Sequence, residues 1–574
     1  MSAAAQGLVR LPVWRARFVL AALAAAFAVL AARSLYLQAM RTDFLQEKGD
    51  ERYSRVLEVP ATRGRILDRN GDALAVSTPV KSVWAIPGDV ELSRAQRNKL
   101  AALLGLEPAE LDRKLSDKSR DFVYLKRQIS PDTAEAVTAL GVKGIYEHPE
   151  YRRYYPGGEV TAHVVGFTGV DDAGQEGVEL AHQATLGGKP GSRRVIKDRL
   201  GHIVEDVESI RAAQDGTDLQ LSIDSKIQSI AYSALKAAVE ANRAKAGGIV
   251  VLDARSGEIL ALANVPSFNP NNRARLNGAQ LRNRVVTDLF EPGSTLKPFT
   301  IALALETGRI GPSTLVPTAP GTLSIASYTI RDVHPAAALT VSQVLQKSSN
   351  VGAAKIALAL PREAMWDLFR REGFGTAPEI GFPGATGGKL RPWKTWKPVE
   401  QATMAYGHGI SVSLLQLARA YTVFARDGEL VPLSLVKTGA TPGGEKVLSS
   451  QTAREVRAML ELAVQPGGTG PRARIMGWRV AGKTGTAHKL ENGAYATDKY
   501  LASFVGLAPA SAPRLVVAVM IDEPAGRNNY YGGTVAAPVF AQVMQGALRL
   551  LGVPHDAPLE PIDPAEGDEA REST

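Results

Sequence analysis

Read for the spacing of apolar and polar positions, the chain changes character several times. Fifteen apolar residues run unbroken from Phe18 to Ala32, and after Arg33 and Ser34 the run resumes with Leu35-Tyr36-Leu37. Counted to Leu37 the segment is twenty residues, about 30 Å as helix, enough to span a bilayer. Arg10, Arg15 and Arg17 precede it, so the positive-inside rule predicts a cytoplasmic N-terminus with the rest of the chain outside. A cleaved signal peptide competes, since Ala24-Ala25-Ala26 offers a small-residue cleavage site. Apolar character runs past that site and no polar mature-type sequence follows it, which favours a retained anchor. No other stretch is long and apolar enough to span.

Residues 38–59 are charged and helix-compatible until Val59-Pro60 breaks the pattern. Asn70-Gly71, between Ile66-Leu67 and Leu74-Ala75-Val76, predicts a hairpin. Residues 91–145 read as helical, with Leu100, Leu103, Leu104, Leu111 and Leu115 as apolar faces; 146–220 read as an irregular, extended module. Near residue 222 the pattern becomes that of a core. Ile227, Ile230, Ala231, Ala234, Leu235, Ala238 and Val239 recur at helical spacing. Ile249–Leu252, a turn at Ser256-Gly257 and Ile259–Leu262 predict an antiparallel strand pair. Leu515–Ile521 reads as a buried strand, and Val539, Phe540, Val543, Met544, Ala547, Leu548 and Leu551 as one helix face. The predicted fold class is α+β. The predicted divisions are 1–40 (tail and transmembrane anchor), 41–221 (elongated non-catalytic pedestal), 222–552 (a mixed domain whose antiparallel sheet is flanked by helices) and 553–574 (disordered acidic tail).

Composition removes several chemistries. The 574 residues include no cysteine, which excludes disulfides, thiolate metal sites, iron–sulfur clusters and a cysteine nucleophile. His163, His182, His202, His334, His408 and His488 fit no metal-ligand spacing and read as structural, so no metal or cofactor is expected. The formal net charge of +9 suits an anionic membrane surface, an acidic polymer or nucleic acid.

Three short motifs carry candidate chemistry. In Glu291-Pro292-Gly293-Ser294-Thr295-Leu296-Lys297-Pro298-Phe299, Ser294 opens a helix and Lys297 follows one turn later on the same face. A serine needs a nearby base to become nucleophilic, and a desolvated lysine can be that base. On its own this pair reads more readily as a helix-capping serine and a solvated lysine. Lys347-Ser348-Ser349-Asn350 precedes a second helix-like run; Ser348 can relay a proton and the Asn350 amide can both donate and accept. Lys483-Thr484-Gly485-Thr486 is the third. There, Gly477 to Thr484 also satisfies the phosphate-loop pattern G-x-x-x-x-G-K-[ST]. That pattern requires a buried strand before it and a helix opening at the lysine. Arg472 to Met476 is too charged for the strand, and Gly485 with Asn492-Gly493 predicts a hairpin instead of the helix.

Ser-x-x-Lys, Ser-x-Asn and Lys-Thr-Gly in this order are the set of penicillin-binding proteins and serine β-lactamases. The chain resembles the class B penicillin-binding proteins, most closely their septal members. Arg63-Gly64, Asp68 to Gly71, Tyr154-Tyr155-Pro156, Gly166 and Gly174 to Glu179 resemble the family's pedestal boxes. Gly407 to Ser413 and Tyr531-Gly532-Gly533 are similar to segments of its catalytic domain. No glycosyltransferase-like region precedes residue 222, which sets the bifunctional class A type aside.

The resemblance implies a D,D-transpeptidase that cross-links peptidoglycan stem peptides during septal cell-wall synthesis and is acylated by β-lactams. It implies that Ser294 attacks the D-Ala-D-Ala carbonyl, that Lys297 takes its proton, and that Ser348 and Lys483 relay protons toward the leaving amine. Asn350 would bind the donor backbone. Thr484 and Thr486, with Lys483, would hold the substrate carboxylate across Gly485, and the N–H groups of Ser294 and Thr486 would form the oxyanion hole. The implied location is the inner membrane, single-pass, with the catalytic domain periplasmic. The implied partners are the lipid bilayer, the polytopic glycan polymerase FtsW and other division proteins, with no nucleic acid. An elongation-type transpeptidase, a β-lactam sensor and a non-catalytic division scaffold are the alternative readings.

Overall fold

The structure is a computed structural model; it describes residues 13–36, 54–197, 203–274, 276–439, 441–491, 493–525 and 530–560. The first element, α1 (Val13–Leu35), is 23 residues long with a mean hydropathy of 2.1 over its most apolar stretch, and none of it is buried. Among the described residues it is the one helix long and apolar enough to cross a membrane. It begins before the predicted start at Phe18, taking in Arg15 and Arg17. The predicted helical character of 38–53 lies outside the described residues, whereas Ser54–Val59 is a strand.

The chain forms two compact units. The smaller comprises residues up to 61, 81–150 and 189–215. Here Lys81 to Ala85 pairs antiparallel with Val123–Ile129. Helices Arg94–Leu104, Pro108–Leu115 and Pro131–Thr138 contribute Leu100, Leu104, Leu111, Leu115 and Val137 to a core with Val83, Ala85 and Leu125. The predicted continuous helical region is therefore interrupted by a strand. Ser93 starts the first helix through a reciprocal cap with Gln96, and Gly105 ends it in the left-handed conformation. A three-stranded ribbon of Ser54–Val59, Gly191–Lys197 and Ile203–Arg211 completes this unit. It gives regular structure to part of a stretch whose sequence reads as irregular.

The larger unit comprises 62–80, 151–188 and 216 onward. Its sheet contains β1 (Ala246–Asp253), β2 (Ile259–Val265), β3 (Ala481–Glu491), β4 (Ala494–Ala508) and β5 (Leu515–Asp522), in the order β2-β1-β5-β4-β3. All neighbours are antiparallel. Every residue of β1 and β2 is buried, which explains why they read as apolar runs with no alternation. Four helices frame the sheet: α2 (Ser225–Ala241), α3 (Lys297–Glu306), α4 (Asn350–Leu358) and α5 (Ala537–Leu550). Ile227 and Leu235 of α2 and Phe540 and Val543 of α5 pack with Ile249, Val251, Val517 and Val519. Strand alternation sends Val250, Leu252, Val516 and Ala518 to the other core, with Phe299 of α3 and Val351 of α4. First and last helices thus share one core, as their apolar spacing predicts.

The segment 62–80 belongs to this larger unit. Asp68 accepts four hydrogen bonds: from the N–H groups of Asn70 and Asp72, and from the N–H and hydroxyl of Ser225 at the start of α2. Arg63 (1% exposed), Arg153 and Glu179 (0%) form a buried ion cluster. Each guanidinium donates to one oxygen of the Glu179 carboxylate at 2.6 Å. The C-terminal stretch predicted as disordered from residue 553 begins ordered. Trp478 donates to Pro554 O at 3.0 Å, and Asp556 accepts from Arg479 N at 2.7 Å and from the Ser511 hydroxyl at 2.6 Å. Residues 561–574 of the predicted tail lie outside the described residues.

Candidate active site

Ser294 lies in a 3-10 turn, Gly293–Leu296, that leads directly into α3. Gly293 takes φ +58°, a conformation that glycine adopts at no steric cost. The turn is wedged against Gly407: a Cβ there would come within 2.2 Å of Gly293 O. From the other side the Tyr421 hydroxyl donates to Thr295 O at 2.8 Å. The serine is 4% exposed and Lys297 is wholly buried.

The first two motifs meet at this turn. Lys297 Nζ donates to Ser294 Oγ at 2.9 Å, to Ser348 Oγ at 3.0 Å and to Ser348 O at 2.6 Å. Ser348 Oγ in turn lies 3.0 Å from Ser294 Oγ. The three side chains close a triangle in which a proton can pass between any two corners. Ser348 reaches it with φ +58°, rare for a non-glycine residue; this left-handed turn presents both its carbonyl and its hydroxyl to the lysine.

Asp332 then fixes the start of α4. Its carboxylate accepts from the N–H groups of Asn350 and Val351 at 2.6 and 3.0 Å and from the Ser349 hydroxyl at 2.6 Å, an anion at a helix N-terminus. Nothing in the sequence around Asp332 marks it for this part. Asn350 is 5% exposed and its Oδ1 is buried without a hydrogen-bond partner. A buried acceptor left unmade in this way calls for a ligand or water to complete it.

The third motif lies on β3, the edge strand. Thr486 is in register with Ala502 of the neighbouring strand and Lys483 with Val505. A Cβ at Gly485 would meet Pro292 O and Thr295 Cγ2, each at 2.9 Å, so the glycine lets strand and serine turn touch. The Thr486 hydroxyl accepts from Gly532 N at 3.0 Å, which gives the Tyr531-Gly532-Gly533 segment its place. Thr484, expected on the substrate carboxylate, is wholly buried, as is Lys483, with its hydroxyl 2.7 Å from that of Thr469 and 3.1 Å from Lys483 Nζ. Thr469 is a second residue that the sequence does not point to. Lys483 sits inside an antiparallel strand, so the phosphate-loop geometry of a helix opening at the lysine is not formed.

A polar flank continues past the serine turn. Glu291 accepts from Gly409 N and from the Tyr495 hydroxyl, each at 2.8 Å. Burial raises its carboxyl pKa, and these two bonds oppose the shift. Burial, with the nearby Lys297, pushes His408 down to about 4, so the imidazole is neutral at pH 7. His163 faces Gln280 O at 2.7 Å and His488 faces Ala496 O at 2.8 Å; His202 lies outside the described residues.

Residues 247–545 match the penicillin-binding protein transpeptidase domain and 58–221 the penicillin-binding protein dimerisation domain. This chain belongs to the penicillin-binding protein transpeptidase family. Within that family it is 47% identical, over 95% of its own length and 94% of the relative's, to the probable peptidoglycan D,D-transpeptidase PenA of Neisseria gonorrhoeae. It is 42% identical to the peptidoglycan D,D-transpeptidase FtsI of Escherichia coli strain K12, over 95% of this chain and 93% of that one. The transpeptidase domain of penicillin-binding protein 3 from Burkholderia pseudomallei, solved in its apo form, superimposes with a TM-score of 0.55 at 51% identity. That match covers 59% of this chain and 98% of the solved one. The pedestal resemblance read from Arg63 to Glu179 falls inside the matched dimerisation domain, and all three motifs fall inside the matched transpeptidase domain.

Proposed function

We propose that this protein is a peptidoglycan D,D-transpeptidase acting in septal cell-wall synthesis. The observation that carries the reading is the Ser294–Lys297–Ser348 triangle, with its three mutual contacts of 2.9 to 3.0 Å. Lys297 in its amine form takes the Ser294 proton as Oγ attacks the penultimate D-Ala carbonyl. The N–H groups of Ser294 and Thr486 stabilise the oxyanion. As the C–N bond breaks, the Ser348 hydroxyl, backed by Lys483, delivers a proton to the departing amine, and D-Ala leaves. An acceptor amine then attacks the ester, forms the cross-link and returns a proton to Ser294. Asn350 holds the donor backbone through its unpartnered Oδ1 and its amide N–H. Lys483 and the Thr486 hydroxyl hold the terminal carboxylate, with Thr484 supporting Lys483.

The pedestal is assigned to 41–221 and the catalytic domain to 222–552. With α1 as a single span and Arg10, Arg15 and Arg17 on its cytoplasmic side, the catalytic domain faces the periplasm, where stem peptides lie. Similarity to FtsI over most of both chains supports a septal role; FtsW and other division proteins are the partners that the family resemblance implies. An intact triangle supports catalysis over a scaffold or sensor role. The test is D-Ala release and dimer formation from stem peptides: wild-type protein should yield both, and Ser294→Ala neither. Cross-linking that survives Ser294→Ala would refute the reading.

A further inference from the structure

Beyond the serine turn lies a cavity of about 670 Å³ that the steps above do not use. The motif strand leads into it. Gly485 abuts Pro292 and Thr295, and the next residues of β3, Ala487 to Leu490, where the pairing with β4 shifts register, line the cavity. Gly485 and Lys489 are four residues apart, about 13 Å along a strand. Phe290 and Glu291, just before the serine turn, contribute to the wall as well. The cavity therefore begins where the motif strand leaves the reaction centre.

Its wall is cationic. Lys245, Arg282, Arg284, Lys389, Arg391 and Lys489 line it against Asp288, Glu291 and Asp522. The three carboxylates are already engaged. Asp522 takes Lys489 at 2.8 Å, Asp288 takes Arg282, and Glu291 takes Gly409 N and the Tyr495 hydroxyl. Arg284 is 8% exposed, yet its nearest carboxylate oxygen, on Asp288, is 3.9 Å away. Lys389 is exposed and has no carboxylate partner among the described residues. Lys245 and Arg391 are paired with carboxylates outside the wall, Glu523 at 2.8 Å and Glu400 at 2.6 Å, so the uncompensated charge is that of Lys389 and Arg284. A half-enclosed cavity with surplus positive charge concentrates anions.

The geometry points to a subsite for a carboxylate on the donor peptide, within about four residues before the scissile bond, the reach of an extended chain over this distance. The inference rests on the transpeptidase reading. Lys483 and Thr486 take the terminal carboxylate, so the preceding peptide runs along β3 toward Ala487 and Lys489 and brings its acidic residue to Lys389 and Arg284, beside the Glu400-paired Arg391. The cavity thereby selects donors by charge upstream of the reacting bond.

The test compares two synthetic peptides ending in D-Ala-D-lactate, identical except that an upstream carboxylate is replaced by a carboxamide. The readout is the ratio of their acylation kcat/KM values on the full-length protein, which cancels any general loss of activity. Wild type should prefer the carboxylate donor by about tenfold, as expected for more than one matched charge. The preference should shrink with added salt. Lys389→Glu should remove or invert it, and Arg391→Gln should reduce it. Equal rates for the two donors in wild type, or a preference that survives both substitutions, would overturn the subsite. Failure of both donors and of benzylpenicillin to acylate would instead overturn the transpeptidase reading, and the subsite with it.

Discussion

Two buried polar clusters in the larger unit are built on opposite terms. Around Glu179, both carboxylate oxygens are matched by guanidinium N–H groups at 2.6 Å. The remaining donors of Arg63 and Arg153 reach Glu179 O, Asp172 O, the Gln183 side chain, Gly64 O and the Ser77 hydroxyl. Around Ser294, a buried lysine is shared between two hydroxyls and a carbonyl, Ser348 is held at φ +58°, and Asn350 Oδ1 has no partner. A cluster whose bonds are complete holds the fold in place. A cluster that keeps an unmade bond and an unfavourable backbone conformation holds atoms for something that arrives later. Between these two clusters, the completeness of the bonds is the difference.

Substitutions should separate them. Lys297→Ala should lower penicillin acylation by roughly 10²–10⁴-fold, the usual worth of a positioned base, with little change in Tm; stopped-flow rates within a few-fold of wild type would place the base elsewhere. Glu179→Gln should do the reverse. It leaves two buried guanidinium groups short of charge compensation and should cost about 3–5 kcal/mol of stability, read from urea unfolding. The folded fraction should still acylate at a normal rate. If Glu179→Gln instead leaves stability intact and slows acylation, the division between the clusters fails.

Two smaller effects sharpen the same contrast. Asn350→Ala should slow acylation by peptide donors about tenfold, the order of one hydrogen bond to substrate. It should leave stability unchanged or slightly raised, because the lost side chain includes an unmade bond. A large drop in Tm would mean that Asn350 is structural. Asp68 gives a pH signature. Burial pushes its carboxyl pKa up, but its hydrogen bonds, led by those from Ser225, outweigh that and hold it below the ordinary value of 3.8. A folded value below the unfolded one contributes stability that is full above about pH 4 and is lost as pH falls through the folded value. Asp68→Asn should therefore flatten the fall in urea midpoint below pH 4; an unchanged acid profile would contradict this.

The readability of the molecule divides along similar lines. The hairpin at Asn70-Gly71, the buried strands β1, β2 and β5 and the paired terminal helices follow from local pattern, because each has a clear period or turn. Val123–Ile129 does not, since Lys126, Arg127 and Gln128 give it a polar composition and its one fully buried residue is Leu125. In the site, Ser294, Lys297, Ser348, Asn350 and Lys483 to Thr486 are visible as three motifs. Their meeting is not, because it is made by chain reversals over 54 residues between Ser294 and Ser348 and over more than a hundred between Ser348 and Lys483. Asp332 and Thr469 are invisible for another reason: each acts through the backbone or hydroxyl of a motif residue, and no spacing ties it to that residue. The placement of Thr484 under Lys483 likewise depends on which way an edge strand turns its side chains.

The most direct test of the central claim is to label full-length protein with fluorescent penicillin, digest it, and locate the adduct by mass spectrometry in wild type, Ser294→Ala and Glu179→Gln. One adduct is expected, on Ser294, present in wild type and in folded Glu179→Gln and absent from Ser294→Ala. An adduct on any other residue, or labelling that persists in Ser294→Ala, would contradict it.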